Sequence, residues 1–542
     1  MWRFLSSLMI LSAFSAGPAL AQSVDVGQLG AAKSFDQGPL DTSNGGFDAA
    51  LWQGVSAQRA SAQIGAINSA NLSELPYRFM RRVLLSAGVP PEGDEVAQAE
   101  YLNVSTAAKL QLGDYAALES LSDTQNPLQR DAEFRVNLAL ASGDPQAACE
   151  ESDRAIDDRT APFWMQMRIV CHLMRDESAA AELTLNLMRE RDDRDADFIA
   201  LADFALGLRK NAPKNTPSRP ILDMLKTVSG AQLNQDPQAL TARDHVSTAL
   251  SSEAPADVRI EALFKSERRI SPEQVKSIMS EILFSDAELA GGTSFDVQSA
   301  LAGLQENGSR AKSIAQLYSL ATNYSDLNAS AQATAALLAL SETVDFTAQM
   351  TEILSESVQF IPANIQVETD APRFAWAALR RADLAALGGI YRALDSEDPL
   401  AGRIALASDA LGNGFVLGQL GLDIETRLAA KGTVRRDAVR DALIAVALGS
   451  RLSDEAAAML VEETNKDTLN PVELALLNAS AKEGARAGTL LYVVQAMGAR
   501  EPSKLSRLEI YTYISALTQA GLTKEAGELA AFDFLSRRPV RE

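Results

Sequence analysis

Apolar residues recur three and four positions apart along almost the whole chain after residue 47. One such face, formed by Ile314, Leu317 and Tyr318, precedes a polar break at 323–328, and a second face follows it. This spacing is typical of amphipathic helices that bury one stripe of side chains. Alternating patterns typical of strands are missing, and 360–367 is the one segment that we interpret as possible extended chain. The pattern therefore predicts an all-α protein.

The predicted helices are separated by short Gly, Asp and Pro turns, which favours stacked antiparallel pairs. Three segments in the N-terminal third align on turn residues at Gly113, Gly143 and Arg175, which lie 30 and 32 residues apart. A similar segment surrounds Gly521, and a looser one surrounds Gly484. Repetition at such a spacing indicates a helical array in which each pair stacks on the next. The sequence thus predicts an α-solenoid.

At these turns the chain resembles the tetratricopeptide-repeat (TPR) family, whose helix pairs meet at a Gly-x-Tyr-like turn followed by a small residue. The usual Trp and the closing Pro of that family are mostly missing here. In general style the chain also resembles exported α-helical proteins of alphaproteobacteria. The TPR-like resemblance implies an α-solenoid used for protein–protein contacts, and it names no partner. The matching positions are Gly113, Tyr115, Gly143, Ala148, Ala180, Gly521 and Ala526.

Proline-rich stretches divide the predicted array into blocks. Three prolines lie within 211–220, and no helix continues through such a stretch because proline lacks the N–H and clashes with the preceding turn. A second break lies at 361–372. The predicted organisation is a signal peptide at 1–21, a disordered leader at 22–47, an N-terminal TPR-like block at 48–212, a middle helical block at 218–362 and a C-terminal helical repeat block at 370–542.

The first residues have the order of a secretory signal peptide. Arg3 is followed by an apolar run at 4–14, then by Gly17-Pro18 and small residues that end at Ala21. We expect cleavage after Ala21 and export to the periplasm of a Gram-negative cell as a soluble protein. The apolar run is too short to anchor the mature chain in a bilayer, so we predict no transmembrane anchor after cleavage.

The charge balance narrows the range of partners. The chain has 71 acidic and 50 basic residues, with a formal net charge of −21. An acidic chain is repelled by nucleic acid and by anionic membrane surfaces. We therefore expect no nucleic-acid partner and expect protein partners in the cell envelope.

The chain has two cysteines, Cys149 and Cys171, which lie at equal distances from Thr160 in a predicted turn. If the flanking segments are antiparallel helices, the two thiols face each other. An oxidising compartment then favours a disulfide. Closing a loop of this size stabilises a protein by about 3 kcal/mol. The alternative is two buried free thiols.

Sequence motifs give no indication of catalysis. The two histidines, His172 and His245, lack further ligands at metal-binding spacing. The glycine-rich stretch at 412–418 has no preceding strand, and its third glycine is one residue late for a dinucleotide loop. We therefore predict no catalytic, cofactor-binding or metal-ligating residue, no cofactor and no enzyme activity.

One basic cluster has two interpretations. Arg78, Arg81 and Arg82 lie close together in the sequence. Such clusters are usually helix faces whose charges pair within the protein. The alternative is a basic docking patch for an acidic partner or a cell-wall polymer.

These observations predict an exported periplasmic helical-repeat scaffold for protein–protein interaction, in cell-envelope or motility machinery. The alternative is a peptidoglycan-binding or glycan-cleaving protein with a superhelical domain, which requires a carboxyl group of raised pKa in a sugar-sized groove. A third possibility is a structural envelope component that has polar surfaces throughout and no sizeable groove.

Overall fold

The regular elements of this protein are α-helices. Within the described ranges there are 26 α-helices, two short 3₁₀ turns and no strand, so the all-α prediction is confirmed. None of these helices is both long and apolar enough to cross a membrane. The computed structural model describes residues 38–114, 117–118, 132–142, 144–155, 160–191, 195–213, 220–229, 242–251, 254–266, 270–285, 289, 310–323, 326–342, 346–359, 370–395, 398–412, 424–461 and 470–537.

The end of the predicted leader is packed against the protein. The signal peptide and most of the leader lie outside the described residues, but residues 38–47 lie within them. The Leu40 N–H donates to the Leu85 carbonyl at 3.1 Å, and the Ala87 N–H donates to the Leu40 carbonyl at 2.7 Å. Phe47 is buried. The composition of this stretch indicated a flexible leader, whereas two apolar side chains hold its end in place.

Three helices follow, and two of them begin at residues suited to capping. The Ser56 side chain accepts a hydrogen bond from the Arg59 N–H at 3.2 Å at the start of the first helix. The Asp94 side chain accepts from the Ala97 N–H at 2.8 Å at the start of the third. Such bonds satisfy N–H groups that have no partner inside the helix. The helices are α1 (Ala57–Gly65), α2 (Glu74–Leu85) and α3 (Glu95–Leu112).

The next six helices that the structure describes share a core of their own, which extends from Val136 to Leu225. Pro145 and Pro162 begin two of these helices, a position where proline fits because its missing N–H would have no intrahelical partner. The helices are α4 (Ala132–Ser142), α5 (Pro145–Arg154), α6 (Pro162–Met174), α7 (Ser178–Arg189), α8 (Ala196–Ala205) and α9 (Pro220–Val228).

A disulfide lies between two of these helices. Cys149 on α5 and Cys171 on α6 are bonded, with their Cα atoms 5.7 Å apart. Both side chains are buried, and the chain has no other cysteine. The predicted disulfide is therefore present, and the alternative of two free thiols is not.

In the part of the middle that the structure describes, nine helices surround a second large core, from Val246 to Ile404. At the start of one of them Ser271 and Gln274 bond to each other's backbone N–H groups, the reciprocal arrangement called a capping box. The helices are α10 (Ala242–Leu250), α11 (Ala256–Leu263), α12 (Pro272–Met279), α13 (Arg310–Asn323), α14 (Leu327–Glu342), α15 (Thr347–Ile353), α16 (Ser355–Gln359), α17 (Ala371–Arg380) and α18 (Leu384–Ala393).

After residue 398 the described ranges contain eight more helices. Ser506 and Glu509 form a second capping box at the start of the helix that follows the last 3₁₀ turn. Gly527 lets the final helix lie directly against another helix, because a Cβ atom there would overlap the Ala410 carbonyl. The helices are α19 (Pro399–Leu411), α20 (Ile424–Ala429), α21 (Gly432–Ala447), α22 (Asp454–Val461), α23 (Pro471–Lys482), α24 (Arg486–Met497), α25 (Arg507–Gln519) and α26 (Thr523–Ser536).

Most of the turns predicted from the repeated segments are turns between helices. Gly484 separates α23 from α24 with φ +67°, and Gly521 separates α25 from α26 with φ +79°. Arg175 follows the last residue of α6, and Gly113 ends α3 in the left-handed conformation. These four positions are confirmed as helix ends. Gly143 lies outside the described residues.

The first three helices and the last four share one core. Leu75 and Phe79 on α2 belong to the same buried cluster as Leu490 on α24 and Phe532 on α26. In a simple stack of repeats each unit contacts only its neighbours along the chain. Here the two ends of the described chain meet. The predicted block limits stay a prediction, because the breaks near 214–219 and 361–369 lie outside the described residues.

Ion pairs reinforce the contact between the two ends, and we call this contact the closure. Arg82 forms two of these ion pairs, and its guanidinium also lies 4.6 Å from the ring centroid of Phe47. Such cation–π contacts add to the electrostatic attraction. The pairs are Arg82–Glu525 at 2.5 Å, Arg82–Glu528 at 3.4 Å, Arg486–Asp48 at 2.6 Å and Arg59–Glu483 at 3.3 Å.

Candidate interaction groove

A small groove lies between α23, α24 and α25 in the C-terminal part. Three helices therefore contribute to one concave surface. The lining residues are Asn470, Glu473, Leu474, Leu477, Tyr492, Gln495, Ala496, Thr512 and Tyr513.

Helix α23 has apolar residues on two sides. Asn470 caps its start by accepting from the Val472 N–H at 3.0 Å. Leu477 and Ala481 face the core and are buried, while Val472 is 65% exposed and Leu476 is 44% exposed. Val472 and Leu476 do not line the groove but lie on another side of α23, and exposed large apolar side chains are typical of interaction sites.

Two tyrosines form one wall of the groove. Tyr513 is only 5% exposed, and burial raises its pKa to about 12, so it is neutral at physiological pH. The Tyr492 ring has the Arg59 guanidinium 5.8 Å from its centroid. The floor and wall are therefore apolar, and one ring face is already in contact with a cation.

The rim of the groove is polar. Glu473 and Gln495 are exposed, and neither has a hydrogen-bond or ion-pair partner within the described part of the chain. Arg500, the cation near the other end of the wall, is already paired with a carboxylate, because its Nη1 donates to Glu509 Oε1 at 2.8 Å. Burial raises the pKa of Glu509, but hydrogen bonds from Ser506 and Arg500 outweigh it, so the net shift is downward. The rim thus presents an unpaired carboxylate.

The predicted docking patch lies on α2, and each of its arginines contacts another part of the protein. These contacts agree with the interpretation of the cluster as an internally paired helix face. A docking role for Arg78, Arg81 and Arg82 stays a prediction, and it requires a partner that displaces them. The contacts are Arg78 to the Arg380 carbonyl at 2.6 Å, Arg81 to Asp114, and Arg82 to Glu525, Glu528 and the Gly45 carbonyl.

The two histidines have separate surroundings. His172 Nδ1 lies 2.7 Å from Glu177 Oε2 at the end of α6, whereas His245 is buried on α10. Among the residues that the structure describes, no group of three or more His, Cys, Asp or Glu side chains is placed to hold a metal ion.

A buried network of arginines and aspartates lies beside the groove-forming helices, and the sequence patterns did not indicate it. Arg440 on α21 pairs with Asp533 on α26 at 2.6 Å. Asp441 pairs with Arg427 at 2.8 Å and with Arg537. Burial raises the pKa of Asp441, but Arg537 and Arg427 lower it by more than burial raises it. The pKa of Asp441 therefore lies below its usual value. The network joins helices to each other and has a structural role.

The groove itself was also missed by the sequence reasoning. The signal was present in α23, where apolar residues fill two sides of the helix instead of one stripe. A helix that is apolar on both sides is buried on both or has a face left for a ligand. The sequence of α23 alone does not decide between these two cases, because the outcome depends on which neighbouring helices cover its second side.

Comparison with known proteins gives no match: no family model, no curated protein and no solved structure is detectably similar to this chain. The resemblance to the TPR family therefore stays a prediction. The function has to be argued from the groove and its surroundings.

Proposed function

We propose that this protein is an exported, periplasmic helical-repeat scaffold that binds a partner protein in the cell envelope or motility machinery. The contact surface is the groove between α23, α24 and α25 together with the exposed apolar side of α23 that carries Val472 and Leu476. The TPR-like arrangement is part of this proposal, and it is supported by the consecutive helix hairpins α23–α24 and α25–α26 with glycine turns.

The observation that carries the proposal is that α23 contributes one side to an apolar groove and exposes apolar side chains on another side. Val472 and Leu476 are exposed on the helix whose other side chains line the groove. Protein contacts combine such an apolar centre with a polar rim, which Glu473 and Gln495 supply here. Covering these side chains with a partner removes apolar surface from water, which favours association.

The groove favours a protein ligand over a glycan. Sugar rings bind to aromatic side chains through open ring faces, whereas Tyr513 is buried and Tyr492 already contacts Arg59. The carboxyl group next to this wall, Glu509, has a lowered pKa, opposite to what a general acid on a glycan requires.

The test is capture of partners from cross-linked periplasm followed by mass spectrometry. We expect one stoichiometric protein with the native chain and its loss with the double variant Val472→Asp and Leu476→Asp. Both residues are exposed, so the variant keeps its fold. The matched control is Leu283→Asp, since Leu283 is 87% exposed and is not among the residues that line the groove.

Equal capture by the native chain and the double variant would place the contact elsewhere and contradict the proposal. Release of muropeptides from peptidoglycan by the purified protein, with no protein captured, would support the glycan-cleaving alternative.

A further inference from the structure

We propose that the groove binds an extended segment of the partner that carries a lysine or arginine next to an aliphatic side chain. This inference rests on the proposed function and specifies the chemistry of the partner. It follows from the apolar wall, the unpaired carboxylate and the free carboxamide that share one groove.

The apolar part of the groove accepts an aliphatic side chain. Leu474, Leu477, Tyr492 and Tyr513 surround it, and Leu477 and Tyr513 are buried at its floor. The groove is small, so it covers only the end of one aliphatic side chain, which is removed from water when it binds.

The charge of the rim selects a cation. Glu473 has no ion-pair partner in the described ranges, while the nearby cations are already paired, Arg500 with Glu509 and Arg59 with Glu483. A basic residue of the ligand gains an attraction that the protein itself does not satisfy, and an acidic residue is repelled. The formal net charge of −21 also attracts a basic ligand, and it does so at longer range.

The carboxamide of Gln495 favours an extended ligand. A carboxamide has both donors and an acceptor, so it pairs with a main-chain amide that is not already hydrogen-bonded. Gln495 has no such partner within the described chain and is exposed at the rim. The backbone of a ligand helix satisfies its own N–H and C=O groups and offers none to Gln495, whereas an extended segment offers both.

The experiment measures binding of two synthetic hexapeptides to the mature chain by surface plasmon resonance. The first is Gly-Ala-Leu-Lys-Ala-Gly with blocked ends, and the second has Glu in place of Lys. We expect the Lys peptide to bind about two- to five-fold more tightly, the contribution of one exposed ion pair. Glu473→Gln should remove this difference, and Glu473→Lys should reverse it.

The matched control is Glu182→Gln on α7, an exposed carboxylate that belongs to another core and should leave the difference unchanged. A preference of the native chain for neither peptide, or absence of binding by the Lys peptide, overturns this inference. If the partner is still captured through Val472 and Leu476, the proposed function stands and only the partner chemistry is wrong. If the double variant captures the partner as well as the native chain, the proposed function itself fails.

Discussion

Arg440 is buried against Asp533, and its guanidinium group also donates to two backbone carbonyls. Nη1 donates to the Leu505 carbonyl at 2.7 Å and Nη2 to the Pro502 carbonyl at 3.0 Å. A buried charge is tolerated only where hydrogen bonds and an opposite charge replace the lost water. This single side chain therefore fixes the 3₁₀ turn before α25 and the last helix relative to α21.

Removing the negative partner should be costly because the arginine stays buried. We expect Asp533→Asn to lower the free energy of unfolding by about 3–5 kcal/mol, the cost of leaving one charge of a buried pair without its counterpart. Urea unfolding followed by circular dichroism measures the change.

The control for this variant is Arg154→Ala, which breaks the exposed pairs with Glu150 and Glu151. Exposed pairs contribute about 0–1 kcal/mol, so its stability should change little. Equal losses of unfolding free energy in both variants would show that the buried pair with Asp533 contributes no more to stability than an exposed pair.

Among the elements, the helix ends were the most predictable feature. Gly484 and Gly521 were identified as turns from repeated local sequence, and both adopt positive φ between helices. The disulfide between α5 and α6 was also predictable from local sequence, because its two cysteines lie on the two helices of a single hairpin. The two sides of α23 were not predictable, because burial of Leu477 and exposure of Val472 depend on distant helices.

The backbone at Gly521 provides a direct test at this scale. Its φ of +79° is unfavourable for a residue with a Cβ, and no atom lies within 4 Å of a Cβ placed there. We therefore expect Gly521→Ala to lower the free energy of unfolding by about 1–2 kcal/mol from backbone strain alone. Thermal unfolding measures this loss.

The opposite result is expected for Gly388, which lies inside α18 with open space around its Cβ position. Gly388→Ala should raise the stability by about 0.5–1 kcal/mol, because alanine has less freedom to lose on folding. Stabilisation by Gly521→Ala would contradict the turn geometry described above.

For the whole molecule, the defining feature is the closure that joins α1–α3 to the C-terminal helices. The sequence predicted the helices and their pairing with neighbours, but it did not predict this contact. Local periodicity carries no information about contacts between residues hundreds of positions apart. Arg82 illustrates this, because the local sequence indicated a helix face with internally paired charges, or a docking patch, but could not indicate that its partners are Glu525 and Glu528.

Weakening the closure should affect both ends of the chain together. Arg82→Ala leaves Glu525 and Glu528 buried without their cation, so we expect faster amide hydrogen exchange in α2 and α26 alike. Exchange in α6 and α7, which belong to another core, should stay unchanged.

The control variant is Arg175→Ala, which removes only an exposed pair with Asp153. It should leave exchange in α2 and α26 as in the native chain. Faster exchange in α2 alone, with α26 unaffected, would mean that the two ends are not coupled.

The separation of the closing partners also has a consequence for synthesis. Arg82 and Glu525 are 443 residues apart in sequence, so the core they share is completed only after the segment around Glu525 has been synthesised. Contacts between distant residues form slowly because a long loop has to close first. A prematurely terminated chain therefore leaves the apolar side of α2 open to water, where chaperones and proteases distinguish it from the finished protein.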